Sequence, residues 1–330
     1  MHRSDMTILS HYPLRVVRVD DYGKVKKVHA AEGTFALKKM DDVQQLHAIE
    51  QATFFYQPYM VPIYWTKHGA RFVAHEDGYY YMMPWLSLRE ERTTKAQAFF
   101  RDLASLHQKT MQEIHVDETE LKNYYEAKKA VWEEERAFLQ SYVEQCEREW
   151  YMSPFQLQCC TYFHETMQAY WFAETKLETW YEKTKESKKW RMAFVHGNAR
   201  FSHYVPREQG GQFLSWERAK WAFPLVDVAT AFDEYVRTPP VDDTWVDGFR
   251  EYEKKLSLRE EELAFFLSHV ASPTYLSRVV SDYAGKRKKE QTEYRAVSEL
   301  QRAYWVMKRT EQLLMQMATS NPLEVESDSQ

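Results

Sequence analysis

The run Arg191–Ala229, "RMAFVHGNARFSHYVPREQGGQFLSWERAKWAFPLVDVA", decides the fold. It starts apolar, breaks at His196-Gly197-Asn198, turns apolar again from Gln212 to Ser215, and ends at Pro224 and Asp227, where a helix should open. Short strands are expected near Met192–Val195 and Gln212–Ser215, an isolated hairpin inside an otherwise helical region. Gly197 suits a backbone shape that a side chain would obstruct, and His196 suits a buried hydrogen-bonding spacer rather than a base. Asp227, just inside a helix begun by Pro224, suits a buried carboxylate that accepts loop amides.

On the N-terminal side, "YPLRVVRVDD", "YGKVKKVHAAEG" and "TFALKKM" are short β-branched or alternating runs. Turn signals at Asp21-Tyr22-Gly23 and Ala31-Glu32-Gly33 join them into three antiparallel strands. From Asp41 or Asp42 the period changes: Val43, Leu46 and Ile49 share one helical face, so a capped helix follows. "VPIYWTKHGARFVAHEDGYYYMMPW" then reads as two further strands, turning at Lys67-His68-Gly69 and Asp77-Gly78. The first unit, residues 1–84, is therefore about five strands and one helix.

From Trp85 the pattern is helical. Apolar stripes mark helices over 95–110, 124–150 and 154–184. Past the decisive run, helices are expected at Leu225–Tyr235, Trp245–Lys255, Glu260–His269, Pro273–Tyr283 and Gln291–Met317. Residues 85–318 form the second, helical unit, and 319–330 read as a flexible acidic tail. An antiparallel unit followed by a helical one is an α+β order.

Composition narrows the function classes. The 330 residues carry 44 Lys and Arg against 49 Asp and Glu, a formal charge of −5, so nothing general favours nucleic acid. No stretch approaches the length and apolarity of a membrane span and no secretory leader is apparent, so the reading is a soluble, unexported chain. Cys146, Cys159 and Cys160 are too few for a disulfide framework and fit no four-ligand metal spacing. The 22 Tyr, 18 Phe and 11 Trp are read first as helix packing and second as an association surface.

Phosphoryl transfer from a nucleotide needs a lysine on the phosphates, an acid to hold that lysine, an aspartate to orient the accepting hydroxyl, and oxygen ligands for magnesium. Lys38, ending the strand "TFALKK", is a candidate for the first role, and Glu50 on the next helix is its expected partner. In "GTFALKK", "YYYMMPW", "LASLH" and the spacing of "HGNARFSH", "FLSWE" and "PLVDVA", the chain resembles the protein-kinase-like fold. The branch is that of the aminoglycoside phosphotransferases and choline kinases. The resemblance covers roughly Val16 to Phe232. It implies a two-lobed architecture with a small antiparallel-sheet N-lobe and a mainly helical C-lobe.

The resemblance also shows what is changed. Where such enzymes have the catalytic Asp and the metal-binding Asn, this chain has Asn198 and His203, and where they have a second metal-binding Asp it has Ser215. A neutral amide is no carboxylate base, imidazole is a poor magnesium ligand, and a serine hydroxyl adds no charge. The covering loop "VDDYGKVKK" has one glycine and two acids that would repel phosphate. No catalytic residue, no metal site and no resident cofactor are therefore expected, with weak ATP binding left to Lys38 and Glu50. His196, Gly197 and Asp227 remain as structural positions.

Loops of this kind look like those of bacterial endospore coat proteins of the CotS/YutH type. That resemblance implies a structural or assembly component made in the mother-cell cytoplasm and deposited on the spore coat. It also implies other coat proteins or further copies of this chain as partners, without nucleic acid or membrane insertion. The alternatives are an unconventional ATP-dependent small-molecule phosphotransferase that puts Glu217 on the metal, and a nucleotide-binding adaptor.

Overall fold

The structure is a computed structural model, and it describes residues 3–86, 92–207, 210–238, 244–285 and 292–319. In chain order come α1 (Arg3–Leu9), β1 (Val16–Asp21), β2 (Val25–Ala30), β3 (Gly33–Met40), α2 (Val43–Tyr56), β4 (Val73–His75), β5 (Gly78–Pro84) and α3 (Arg92–Thr110). Next are β6 (Gln112–His115), α4 (Glu118–Glu147), α5 (Pro154–Ser187), β7 (Lys189–Val195), β8 (Tyr204–Val205), β9 (Gln212–Phe213) and β10 (Lys220–Ala222). The chain closes with α6 (Leu225–Arg237), α7 (Thr244–Lys255), α8 (Glu260–Ala271), α9 (Thr274–Ala284) and α10 (Glu293–Thr319). These are the antiparallel sheet and succession of helices of an α+β chain. The acidic tail beyond Thr319 lies outside the described residues.

Two compact units divide these elements: Met1–Met111 with Met192–Ala231, and Gln112–Arg191 with Phe232–Gln330. The chain thus returns to its first unit for the run that decided the fold.

In the first unit five strands pair in the order β1-β2-β3-β5-β4, all antiparallel. Alternation along β3 sends Phe35 and Leu37 to one face, where they meet Val28, Tyr80 and Met82 in a core closed by Ile8, Leu9 and Tyr12. Each large apolar side chain buried this way contributes about 1.5–3 kcal/mol. The same alternation turns Ala36 and Lys38 to the opposite face. Asp42 caps α2, its side chain accepting from the Gln44 amide.

Three features of this unit differ from the sequence reading. The short helix α1 has no strong pattern of its own; it holds by burying Ile8 and Leu9 and by the Asp5–Lys26 ion pair at 2.5 Å. Val61–Trp65 forms no strand. Pro62 cannot donate, and the segment makes isolated bonds, Val61 to the Phe213 carbonyl and Tyr64 to that of Met82, in place of a ladder. The strands at 192–195 and 212–213 do not form one hairpin: β7 pairs with β10, and β9 pairs with β8. The segment after β7 spends its amides on Asp227 and so leaves the ladder.

The second unit is helical, and α5 is its longest element at 34 residues. Ser153 at the N-cap and Gln156 at the third helical position form a reciprocal capping box around Pro154, and Lys188 ends the helix in a left-handed conformation at φ 52°. Rings pack between helices: Tyr162 stacks on Tyr304 at 3.7 Å and Phe155 on Tyr283 at 3.8 Å. Arg191 grips the buried Glu262 with two nitrogens, and the bond from Nε is 2.6 Å. The three cysteines are free thiols, with Cys146 and Cys159 buried. No helix among the described residues is long and apolar enough to cross a membrane.

Candidate functional site

Strand register builds the first half of the site. Lys38 on β3 lies directly opposite Tyr81 on β5, and residues so paired share one face of the sheet. The Lys38 ammonium donates to Glu217 Oε1 at 2.5 Å and to Ser215 Oγ at 2.7 Å. The Tyr81 hydroxyl donates to the same Glu217 oxygen at 2.6 Å. With the Lys38 and Glu217 side chains only 14% and 13% exposed, this is a shielded pair, unlike a solvated surface bridge. Burial by itself would raise the Glu217 carboxyl, but the Lys38 charge and the hydrogen bonds from Lys38 and Tyr81 outweigh it and hold the group below the usual carboxylate range. Burial and the neighbouring Glu217 charge push the Tyr81 phenol far up, so it stays a donor.

Ser215 and Glu217 converge on Lys38 through a turn and not through strand alternation. Ser215 stands at φ 68°, in the left-handed region, and neither residue belongs to a strand. Glu50, the acid expected to hold Lys38, is exposed on α2, and the ion pair of Lys38 goes to Glu217 instead. Helix phase explains this: Ala48 and Ile49 of α2 are buried, which turns the next residue outward.

The second half is the loop after β7. Asp227 is fully buried. Its Oδ2 accepts from the His196 amide at 2.7 Å and lies 3.1 Å from His107 Nε2, while Oδ1 accepts from the Gly197 amide at 2.8 Å. Gly197 adopts φ 73°, and a Cβ there would lie 2.0 Å from the Arg218 carbonyl oxygen. His196 Nε2 donates to the Leu214 carbonyl at 2.8 Å, which leaves Nδ1 to accept from the Asn198 amide at 3.2 Å. One carboxylate and one imidazole therefore fix the backbone from 196 to 198.

Asn198 and His203 are turned to the loop itself. The Asn198 side-chain oxygen accepts from Arg200 Nε at 3.1 Å, and His203 Nδ1 donates to the Asn198 carbonyl at 3.0 Å. A second buried carboxylate that the sequence reading had not singled out, Asp102 on α3, accepts from the Tyr204 hydroxyl at 2.5 Å and the Gly211 amide at 2.6 Å. It ties Tyr204 and Gly211 to α3. Aspartate in the polar half-turn of "FFRDLASLH" gave no signal to separate it from a surface charge. Tyr81 lay hidden in the same way in a run of three tyrosines.

Burial drives the His196 ring down to about 4, against the Asp227 charge, so it is neutral in the folded chain. Between its ordinary value of 6.5 and about 4 the unfolded chain binds a proton that the folded chain excludes. Stability is therefore expected to fall as pH drops through that window, by up to about 3 kcal/mol from this ring, and to be unaffected by it above pH 6.5. Imidazole nitrogen shifts measured by NMR at pH 5 should show a neutral His196; a charged ring at that pH would contradict the assignment.

A magnesium nucleotide is the group that a kinase-like fold implies, and the residues present fit it poorly. The carboxylate nearest the lysine already neutralises it, the loop offers an amide at 198, and Ser215 donates or accepts only as a hydroxyl. Among the described residues no three His, Cys, Asp or Glu side chains come together as a metal-ligand group.

No family model matches the chain, and no curated protein matches it. Solved structures do. An aminoglycoside phosphotransferase from Alicyclobacillus acidocaldarius superposes with a TM-score of 0.70 at 14% identity, over 96% of this chain and 95% of that one. A spectinomycin phosphotransferase, APH(9)-Ia, in complex with ADP and spectinomycin gives 0.56 at 11% identity, over 94% and 99%. A microcompartment-associated aminopropanol kinase gives 0.55 at 13% identity, over 95% and 97%. The fold is that of the kinase-like phosphotransferases, with a small antiparallel sheet of five strands and a mainly helical remainder.

Proposed function

We propose that this chain is a catalytically silent kinase-like protein that serves as a structural or assembly component of the bacterial spore coat. One observation carries the loss of catalysis: the lysine that should meet phosphate is already met by Glu217, Ser215 and Tyr81 of its own chain. A carboxylate 2.5 Å from that ammonium competes with any phosphate for the same charge. Asn198, bonded to Arg200, adds no base. The assignment to the coat rests on the resemblance of the eroded loop. Exposed rings such as Trp150, Tyr151 and Trp171 support association with other coat proteins or further copies.

Calorimetric titration with ATP, with and without magnesium, followed by an ADP assay of the same sample, tests the catalytic half. Weak or no heat and no ADP are expected. Glu217→Gln should raise ATP affinity about tenfold, because Lys38 loses its competing anion and keeps Tyr81 and Ser215 as neighbours. Sustained ADP release that disappears in Glu217→Ala and Lys38→Ala would instead establish the rival, a phosphotransferase with Glu217 on the metal. ATP that binds unconsumed and alters affinity for a coat protein would establish the adaptor. Fractionation of sporulating cells tests the other half: the chain should leave with the coat, and recovery from vegetative cytosol alone would reject that role.

A further inference from the structure

Within the helical unit, α5, α7, α8 and α10 do not close completely; they surround a cavity of about 460 Å³. Protein interiors are otherwise packed to crystal-like density, and this volume falls in the range of small-molecule sites. Its wall is mostly apolar, formed among others by Phe172, Phe249, Leu263, Leu267 and Leu314, with Met315 as an adaptable side chain.

Charge at the wall is uneven. Glu165 and Glu311 line the cavity, but both are tied to Lys308, at 2.7 and 2.5 Å, and Glu165 also accepts from Tyr304 at 2.9 Å. Arg250 makes a long contact of 3.5 Å with Asp247. Lys176 is half-buried and lines the cavity without an ion pair among the described residues, its ammonium 5.7 Å from the Phe172 ring centroid. Burial pushes the Glu253 carboxyl up against the pull of Arg250, as a poorly hydrated wall would.

We infer that this cavity binds an anionic amphipath, in its simplest form a medium-chain carboxylate, with the apolar chain between Phe172, Phe249 and Leu314 and the headgroup at Lys176. Glu165 and Glu311 already have Lys308 as their cation, and Glu253, its carboxyl pushed up by burial, lies under the pull of Arg250, so the wall offers a cationic amphipath a weaker counter-charge than Lys176 offers an anion. Lys176 is the group that gains one. An apolar chain gains from burial whatever its headgroup, and the headgroup sets the sign of the preference. The inference is independent of whether the chain turns over ATP.

The test uses the full-length chain and decanoate below its micellar concentration, read by calorimetry and by displacement of anilinonaphthalene sulfonate. Decanol and decyltrimethylammonium are the headgroup controls. Decanoate should bind saturably with one molecule per chain and at least tenfold more tightly than decyltrimethylammonium. Lys176→Gln should weaken decanoate at least tenfold and leave decanol within about twofold. Ala169→Trp, which fills the cavity from α5, should abolish both. Absent saturable binding, equal affinity for the cationic amphipath, or decanoate affinity indifferent to Lys176→Gln each overturns the inference. Should Ala169→Trp fail to fold, Lys176→Gln at the cavity wall still decides.

Discussion

Asp227→Ala should destabilise the chain by about 4 kcal/mol, read as a lower midpoint in urea with an unchanged slope. The carboxylate accepts from two loop amides and one imidazole in a fully buried position. Removing it leaves three donors without an acceptor, at about 1–3 kcal/mol each, less what partial collapse and water recover. Asp227→Asn separates charge from shape: one oxygen can still accept, but the amide nitrogen must face a donor, so roughly half the loss should remain. A loss below about 1 kcal/mol for Asp227→Ala would mean that the loop does not depend on this carboxylate.

Gly197→Ala is the second large effect, expected at about 3 kcal/mol or more. Two costs add. The backbone at φ 73° disfavours any L side chain by about 1–2 kcal/mol, and the new methyl would sit 2.0 Å from the Arg218 carbonyl oxygen and 2.6 Å from its carbon. Backbone atoms cannot swing aside as a flexible side chain can, so the loop or the segment at 218 must shift. Gly23→Ala supplies the control: its φ of 82° is similar, but nothing lies within 4 Å of the added carbon. It should cost only about 1 kcal/mol, and thermal unfolding of the two variants isolates the clash. Equal losses would show that backbone strain alone accounts for Gly197.

Local pattern carried most of the fold. The three leading strands, the Asp42 cap and the helices from α3 onward follow from alternation, helical stripes and Pro or Gly boundaries, all written within ten or twenty residues. Reading failed where a segment has no strong pattern of its own. The helix α1 is seven residues long and stands because the sheet buries Ile8 and Leu9. Val61–Trp65 has strand-like composition, yet Pro62 and a lack of neighbours with matching amides deny it a ladder.

By itself, then, the sequence determined the leading strands and most of the helices, a glycine where the loop excludes a side chain, and the absence of a carboxylate at Asn198 and Ser215, because these depend on residue type and near neighbours. Only the tertiary structure decided who holds Lys38. The sequence offered Glu50, 12 positions along, as the partner, and placed Glu217, 179 positions along, only on a metal under the alternative. The choice fell to helix phase, which turns Glu50 outward, and to the left-handed turn at Ser215, which brings Glu217 under β3 and β5. Ion pairing depends on distance and burial in space, and neither is written in the spacing of two acids from one lysine.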